Sequence, residues 1–157
     1  NLVEGGSTDH LWPVFRYAEV LLNYAEAMNE AYGPDADPKG YGMTARQALT
    51  EVRNSASTAL PAVTAAGKAD FRKAVKHERR VELAFEDHRF WDVRRWNIGA
   101  TTQTQVDGVS IVKTDKGLDY TRTMVEKRTW ADRMNLYPIP KSELFSNPNL
   151  NPQNTGW

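Results

Sequence analysis

The stretch HERRVELAFEDHRFWDVRRW, His77 to Trp96, decides how this chain is read, because it interleaves charged side chains with large apolar ones at helical spacing. Glu78, Glu82 and Glu86 stand four residues apart and so form one ridge on a helix. Carboxylates placed this way can share a proton and act as general acid and base, as in a glycoside hydrolase. The same ridge reads as structural if arginines offset the repulsion between like charges. Arg79 and Glu82, Glu86 and Arg89, Arg89 and Asp92, and Asp92 and Arg95 are each three residues apart, and Arg16, Glu19 and Glu26 offer partners from an earlier helix. The structural reading is carried forward: these residues are expected to form an ion-pair network between helices, with no catalytic residue among them. His77-Glu78 imitates the opening of the zinc-protease pattern HExxH, but Val81 stands where the second histidine belongs. His88 is out of register and His10 lies in a loop far away. No metal centre and no cofactor are expected.

Upstream of this block the apolar periodicity is also helical. Trp12-Pro13 sets up a first helix to about Tyr32, with Phe15, Ala18, Leu22, Ala25 and Met28 or Asn29 on one face. Val14, Tyr17, Leu21, Tyr24 and Ala31 widen that stripe over most of the circumference, so the helix is expected to be buried among others. Gly33-Pro34 stops it, and residues 35–42 read as a turn-rich connector. Thr44 and Gln47, spaced as a capping box, open a second helix whose inner face is Ala45, Ala48, Leu49 and Val52. After a loop from Pro61 to Lys68, Asp70 is expected to cap a third helix. Its inner face is Phe71, Ala74 or Val75, Glu78, Val81 or Glu82, and Phe85, and it is expected to bend near Asp87 and continue to Trp96.

Downstream the period changes. Val109, Ile111 and Lys113 alternate, residues 114–117 are turn-like, and Tyr120 begins a second extended run, which predicts a β-hairpin between Val106 and Trp130. From Tyr137 the prolines at 138, 140, 148 and 152 impose an extended strap, broken by one turn near Ser142 to Phe145.

The 157 residues suit one ordinary domain, and twenty basic residues against twenty acidic ones give no broad positive field, which argues against nucleic acid or an anionic membrane as partner. The absence of cysteine excludes disulfides and thiolate chemistry. Gly40 to Ala45 imitates a dinucleotide fingerprint, but what precedes it is a turn and not a strand. Asp35, Asp37 and Gly40 imitate a calcium loop, yet Lys39 and Arg46 stand at ligand positions.

Four blocks in order carry a family resemblance: WPVFRYAEVLLNYAEAMNEAYG at Trp12 to Gly33, ALTEVRNSA at Ala48 to Ala56, the block at His77 to Trp96, and LYPIPKSELFSNPNLNPQNTGW at Leu136 to Trp157. Together they resemble the carboxy-terminal part of the SusD/RagB family of surface glycan-binding lipoproteins. Asp87 stands where the family often has glycine, and Thr155 where it often has proline. The resemblance implies a mainly α fold of tetratricopeptide-like helix pairs with a small hairpin and a proline-rich strap. Residues 1–157 are then expected to form a single domain, the carboxy-terminal portion of a longer protein whose first helices and lipid-anchor region are not in this chain. It further implies a non-enzymatic protein of polysaccharide utilisation on the extracellular face of the outer membrane, held there by an amino-terminal lipid. Its partners would be an oligosaccharide and a SusC-like TonB-dependent transporter. A helical-repeat interaction module without small ligand is the third reading, beside the hydrolase.

Sugar rings present apolar faces that stack on exposed aromatics. Among the tyrosines and tryptophans, Tyr32, Tyr41 and Tyr120 fall in or beside loops and are the surface candidates for ligand binding.

Overall fold

The structure is a computed structural model, and it describes residues 14–54 and 60–157. The expected loop over Asn1 to His10, with His10 itself, and the helix start at Trp12-Pro13 lie outside the described residues. The chain divides into two compact units, Asn1–His88 and Arg89–Trp157.

The first unit holds helices α1 (Tyr17–Tyr32), α2 (Ala45–Asn54) and α3 (Gly67–Glu82). Helix α1 packs against both of the others. Its buried residues, Leu21, Leu22, Ala25, Met28 and Asn29, recur at helical spacing and meet Ala45, Ala48, Leu49 and Val52 of α2 and Phe71 and Val75 of α3 in one core. The expected stripe over most of the circumference of α1 is corrected. Val14, Phe15 and Tyr17 are exposed, because two helices cover two sides of a cylinder and because the chain at Arg16 is extended, so Phe15 precedes the helix.

Local signals set the helix ends. The Gly33 N–H reaches the Asn29 carbonyl (2.9 Å) with Gly33 at φ +90°, a conformation that L side chains rarely adopt. The capping box forms: the Thr44 N–H donates to Gln47 Oε1 (2.7 Å) and the Gln47 N–H to Thr44 Oγ1 (3.2 Å). Helix α3 begins at Gly67, three residues before the expected cap. Asp70 therefore sits in the first turn, where a carboxylate favours the helix dipole, and takes Lys73 as partner (2.8 Å). Phe71, Val75 and Glu78 face inward as expected, but Val81 and Phe85 do not. The helix stops at Glu82, and Phe85 adopts φ +64° outside it, which leaves its ring 96% exposed. Asp87 takes φ +62° before helix resumes at His88. Where α1 ends, the Glu30 carbonyl accepts from Lys68 Nζ, and the Glu30 carboxylate takes a two-pronged bond from Arg72 (2.5 and 2.6 Å). The cation of α3 thus satisfies an orphan carbonyl of α1.

Helix α4 (His88–Arg95) starts at the last residue of the first unit and runs into the second, which continues with a short α5 (Gly99–Thr102) that the sequence pattern did not predict. Gly99 lies under the Trp130 indole so closely that a Cβ would fall 1.9 Å from a ring carbon. The hairpin pairs β1 (Gln105–Thr114) with β2 (Gly117–Lys127), Ile111 opposite Tyr120 and Thr114 opposite Gly117. The hairpin stands where the sequence predicts one, with both neighbours Ile111 and Val112 exposed. The strap holds a 3-10 turn at Asp132–Asn135, helix α6 (Lys141–Ser146) and a second 3-10 turn at Pro148–Leu150. Gln153 binds both backbone groups of Ile139 (2.7 and 2.8 Å), and the Trp157 indole N–H reaches the Arg133 and Leu136 carbonyls (3.0 Å each). Side-chain amides and an indole thus supply the pairing that the prolines deny the backbone.

Truncating Phe71, which is fully buried, to alanine is expected to cost about 3–5 kcal/mol, whereas Phe85→Ala stays within about 0.5 kcal/mol. Urea unfolding followed by circular dichroism measures both, and equal losses would contradict this core.

Candidate functional site

The three glutamates do not form one helical ridge, because α3 stops at Glu82 and leaves Glu86 beyond it, but each of them is engaged. The Arg16 guanidinium donates to Glu86 Oε2 (2.8 Å), to Glu82 Oε1 (2.9 Å) and to the Glu82 carbonyl (2.8 Å). Glu78, 5% exposed, accepts from Arg53 of α2, whose remaining donors hold the Pro61 carbonyl (3.0 and 2.8 Å). Arg79 donates to Asn23 of α1 (2.6 Å), His88 lies 3.7 Å from Glu19, and Arg95 donates to Asp92 (2.8 Å). Glu26 and Arg89 have interactions of their own. The Arg16 pK is raised further by the Glu86 hydrogen bond, with burial opposing and Glu82 adding. A concavity of about 390 Å³ is lined by Arg16, Tyr17, Leu21, Glu51, Val52 and Glu82. Its two carboxylates are already bonded, Glu82 to Arg16 and Glu51 to the Tyr17 hydroxyl. Sequence reasoning missed Arg53 and Asn23. The signal for Arg53 is its spacing of seven from Arg46, which puts both guanidinia on one side of α2.

A second concavity, about 330 Å³, has a different chemistry. Tyr24, Ala27, Met28, Ala31 and Tyr32 of α1 form its floor and one wall, and Tyr41 of the connector forms another. Two of the three sequence candidates, Tyr32 and Tyr41, are therefore brought together. Tyr120 belongs to the other unit, on β2 opposite Ile111 and 65% exposed. Tyr24, assigned from the sequence to the buried stripe, is the residue missed. Tyr24, Ala27 or Met28, and Ala31 recur at helical spacing, which marks a common face.

The connector that carries Tyr41 is built on two carboxylates. Asp37 Oδ1 accepts from the Tyr41 N–H (2.9 Å) and Oδ2 from the Gly42 N–H (2.8 Å). Gly40 and Gly42, at φ +70° and +88°, let the backbone curl around that carboxylate. Asp35 takes both prongs of Arg46 (2.5 and 2.9 Å), and Arg46 also holds the Val63 and Ala65 carbonyls. These are the aspartates that imitate a calcium loop, and an arginine and backbone N–H groups occupy them instead. The Tyr24 hydroxyl donates to the Met43 carbonyl (2.6 Å). Backbone donors, Tyr41 first, hold the Asp37 carboxyl below its ordinary range, and Arg46 does the same for Asp35. Burial, with the nearby Tyr41 and Asp37 groups adding, pushes the Tyr32 hydroxyl up, and burial with Asp37 does so for Tyr24. Both are neutral phenols at physiological pH with apolar ring faces; the Tyr24 hydroxyl is bonded to the Met43 carbonyl and that of Tyr32 to Tyr41.

A three-helix unit with an aromatic cleft, joined in sequence to a hairpin and a proline-rich strap, defines a mainly α class of fold with a small β-hairpin. The SusD family profile matches residues 3–157, and the chain belongs to that family. The SusD-like protein P2 of Formosa agariphila is 31% identical over 144 residues, which is 90% of this chain and 25% of that protein. The SusD-like protein P25 of the same organism is 32% identical over 145 residues, 87% of this chain and 22% of that one. Among solved structures, a SusD-like carbohydrate binding protein from Bacteroides fragilis superimposes with a TM-score of 0.62 at 33% identity, covering 88% of this chain and 28% of its own. The chain thus spans about a quarter of the length of these relatives.

Replacing Arg53 by methionine strands a buried Glu78 carboxylate and is expected to cost about 3–5 kcal/mol, while the double variant Arg53→Met with Glu78→Met recovers most of the loss. Chemical denaturation of the three variants checks the pattern, and a double variant no better than the single one would contradict it. Glu30, Asp35 and Asp37 are all depressed in the folded chain, Glu30 chiefly by its bond from Arg72. They contribute stability above their unfolded values near pH ~4, and it is lost as pH falls through their lower folded values. The urea midpoint is expected to drop across that acidic window, less steeply in Glu30→Gln. An unchanged midpoint there would count against these pairings.

Proposed function

We propose that the chain is the carboxy-terminal part of a surface protein that captures oligosaccharide without cleaving it. The observation that carries this reading is the cleft in which Tyr32 and Tyr41 meet over Ala27, Ala31 and Met28. Pyranose rings stack their C–H faces on tyrosine, and a phenol oxygen can still accept from a sugar hydroxyl. The likeness to the carbohydrate binding protein of Bacteroides fragilis supports the same ligand class. A reading without hydrolysis is supported by these glutamates: Glu78 is bonded from Arg53, and Glu82 and Glu86 from Arg16, so none of the three is a free carboxylate for an acid or base role. Delivery to a SusC-like TonB-dependent transporter, and attachment by an amino-terminal lipid to the extracellular face of the outer membrane, complete the proposal by family likeness.

Calorimetric titration against a panel of neutral oligosaccharides tests it. At least one is expected to bind, and Tyr32→Ala or Tyr41→Ala is expected to weaken it roughly fivefold, the value of about 1 kcal/mol per aromatic contact. Reducing-end assays on the same sugars are expected to stay flat. A blank panel would sink the reading, and so would hydrolysis abolished by Glu82→Gln.

A further inference from the structure

We propose that Asp37 sets the charge selectivity of the tyrosine cleft, so that the cleft takes uncharged sugar rings and turns away anionic ones. The inference rests on the glycan reading of this cleft. It starts from the backbone of the connector. The N–H groups of Tyr41 and Gly42 face one carboxylate, each bonding one of its oxygens; successive N–H groups turned to one side elsewhere make a concave anion site, and here the chain fills it with its own Asp37. An incoming uronate or sulfate therefore finds those donors spent and a fixed negative charge at the root of the Tyr41 wall.

Nothing in the lining offsets that charge. Tyr24, Ala27, Met28, Ala31, Tyr32 and Tyr41 include neither lysine nor arginine. The nearby guanidinia are committed elsewhere, Arg46 to Asp35 and two loop carbonyls, and Arg72 to Glu30. Lys39 belongs to the same turn, with its side chain exposed to solvent. The field of Asp37 reaches the cleft, since its charge is among the influences that raise the Tyr24 and Tyr32 hydroxyls. An anionic sugar would give up its water for a lining that holds no cation and lies beside one like charge, with Lys39 out in solvent. A neutral ring loses nothing by either.

The test is calorimetry on the whole chain with glucose, galactose and mannose oligosaccharides, each paired with its form oxidised to uronate at C6. The neutral member is expected to bind about 3–10-fold more tightly at low salt, the size of one like-charge contact near a solvated surface. The gap is expected to narrow when salt rises from about 0.01 M to about 0.1 M and the Debye length falls from about 30 Å to about 10 Å. Asp37→Asn, which keeps one acceptor and removes the charge, is expected to close the gap mainly by improving the uronate. Equal affinities at low salt, or a gap that persists in folded Asp37→Asn, overturn the inference and leave the glycan reading standing. Binding of neither class overturns both. If Asp37→Asn loses the connector's amide signals, the salt dependence of the unsubstituted chain decides alone, and a salt-independent gap is then the overturning result.

Discussion

Charge that is taken out of water must be answered by charge from another element, and in the first unit that requirement ties the helices together. Glu78 is almost wholly buried on α3, so its carboxylate needs a donor, and the donor comes from Arg53 on α2. Arg16, at the residue before α1, answers Glu82 and Glu86 together and also bonds the last carbonyl of α3. The apolar core of Leu22, Leu49, Phe71 and Val75 supplies the undirected part of the packing. The ion pairs set which face of α3 meets which end of α1 and α2, because a fork of fixed geometry fits a carboxylate in few orientations.

Features that depend on neighbours in the chain were legible. The capping box at Thr44 and Gln47, the stop at Gly33, the inner face of α2 and the hairpin pairing all rest on spacings of a few residues, and each is found as read. Features that depend on distant partners were not. The end of α3 at Glu82 coincides with a carbonyl bonded from Arg16, sixty-six residues away, and no local pattern marks it. The expected inward placement of Phe85 failed for that reason: the apolar period continues past a helix that has already ended. Phe15 failed likewise, because extended backbone at Arg16 detaches it from the face its spacing implies.

The cleft divides in the same way. Tyr32 and Tyr41 were legible because aromatics beside a Gly-Pro stop and a glycine-rich turn are exposed by the backbone itself. Tyr24 lies mid-helix, and whether such a tyrosine faces the core or a cleft depends on what stands opposite. Here the connector stands opposite and takes the phenol's hydrogen bond at the Met43 carbonyl. The arginine partners were half legible. Arg16 was named as a partner on the first helix and stands instead at the residue before it, but Arg46 and Arg53 sit in a segment whose small apolar residues draw attention to its other face.

Arg46 links the two themes. Its guanidinium holds Asp35 at the start of the connector and the Val63 and Ala65 carbonyls in the loop before α3, while its backbone N–H bonds the Pro34 carbonyl. Its side chain also lies 5.0 Å from the centre of the Phe71 ring, the largest fully buried group. One residue therefore anchors the connector that presents Tyr41 and seals the core beneath it. The cleft is as rigid as that anchor: the turn around Asp37 fixes Tyr41 relative to the connector, and Arg46 fixes the connector relative to α2. In the proposed role, a tyrosine wall on a twelve-residue connector that had to be ordered on each encounter would give up part of its binding free energy, and tethering both ends of the turn lowers that cost in advance.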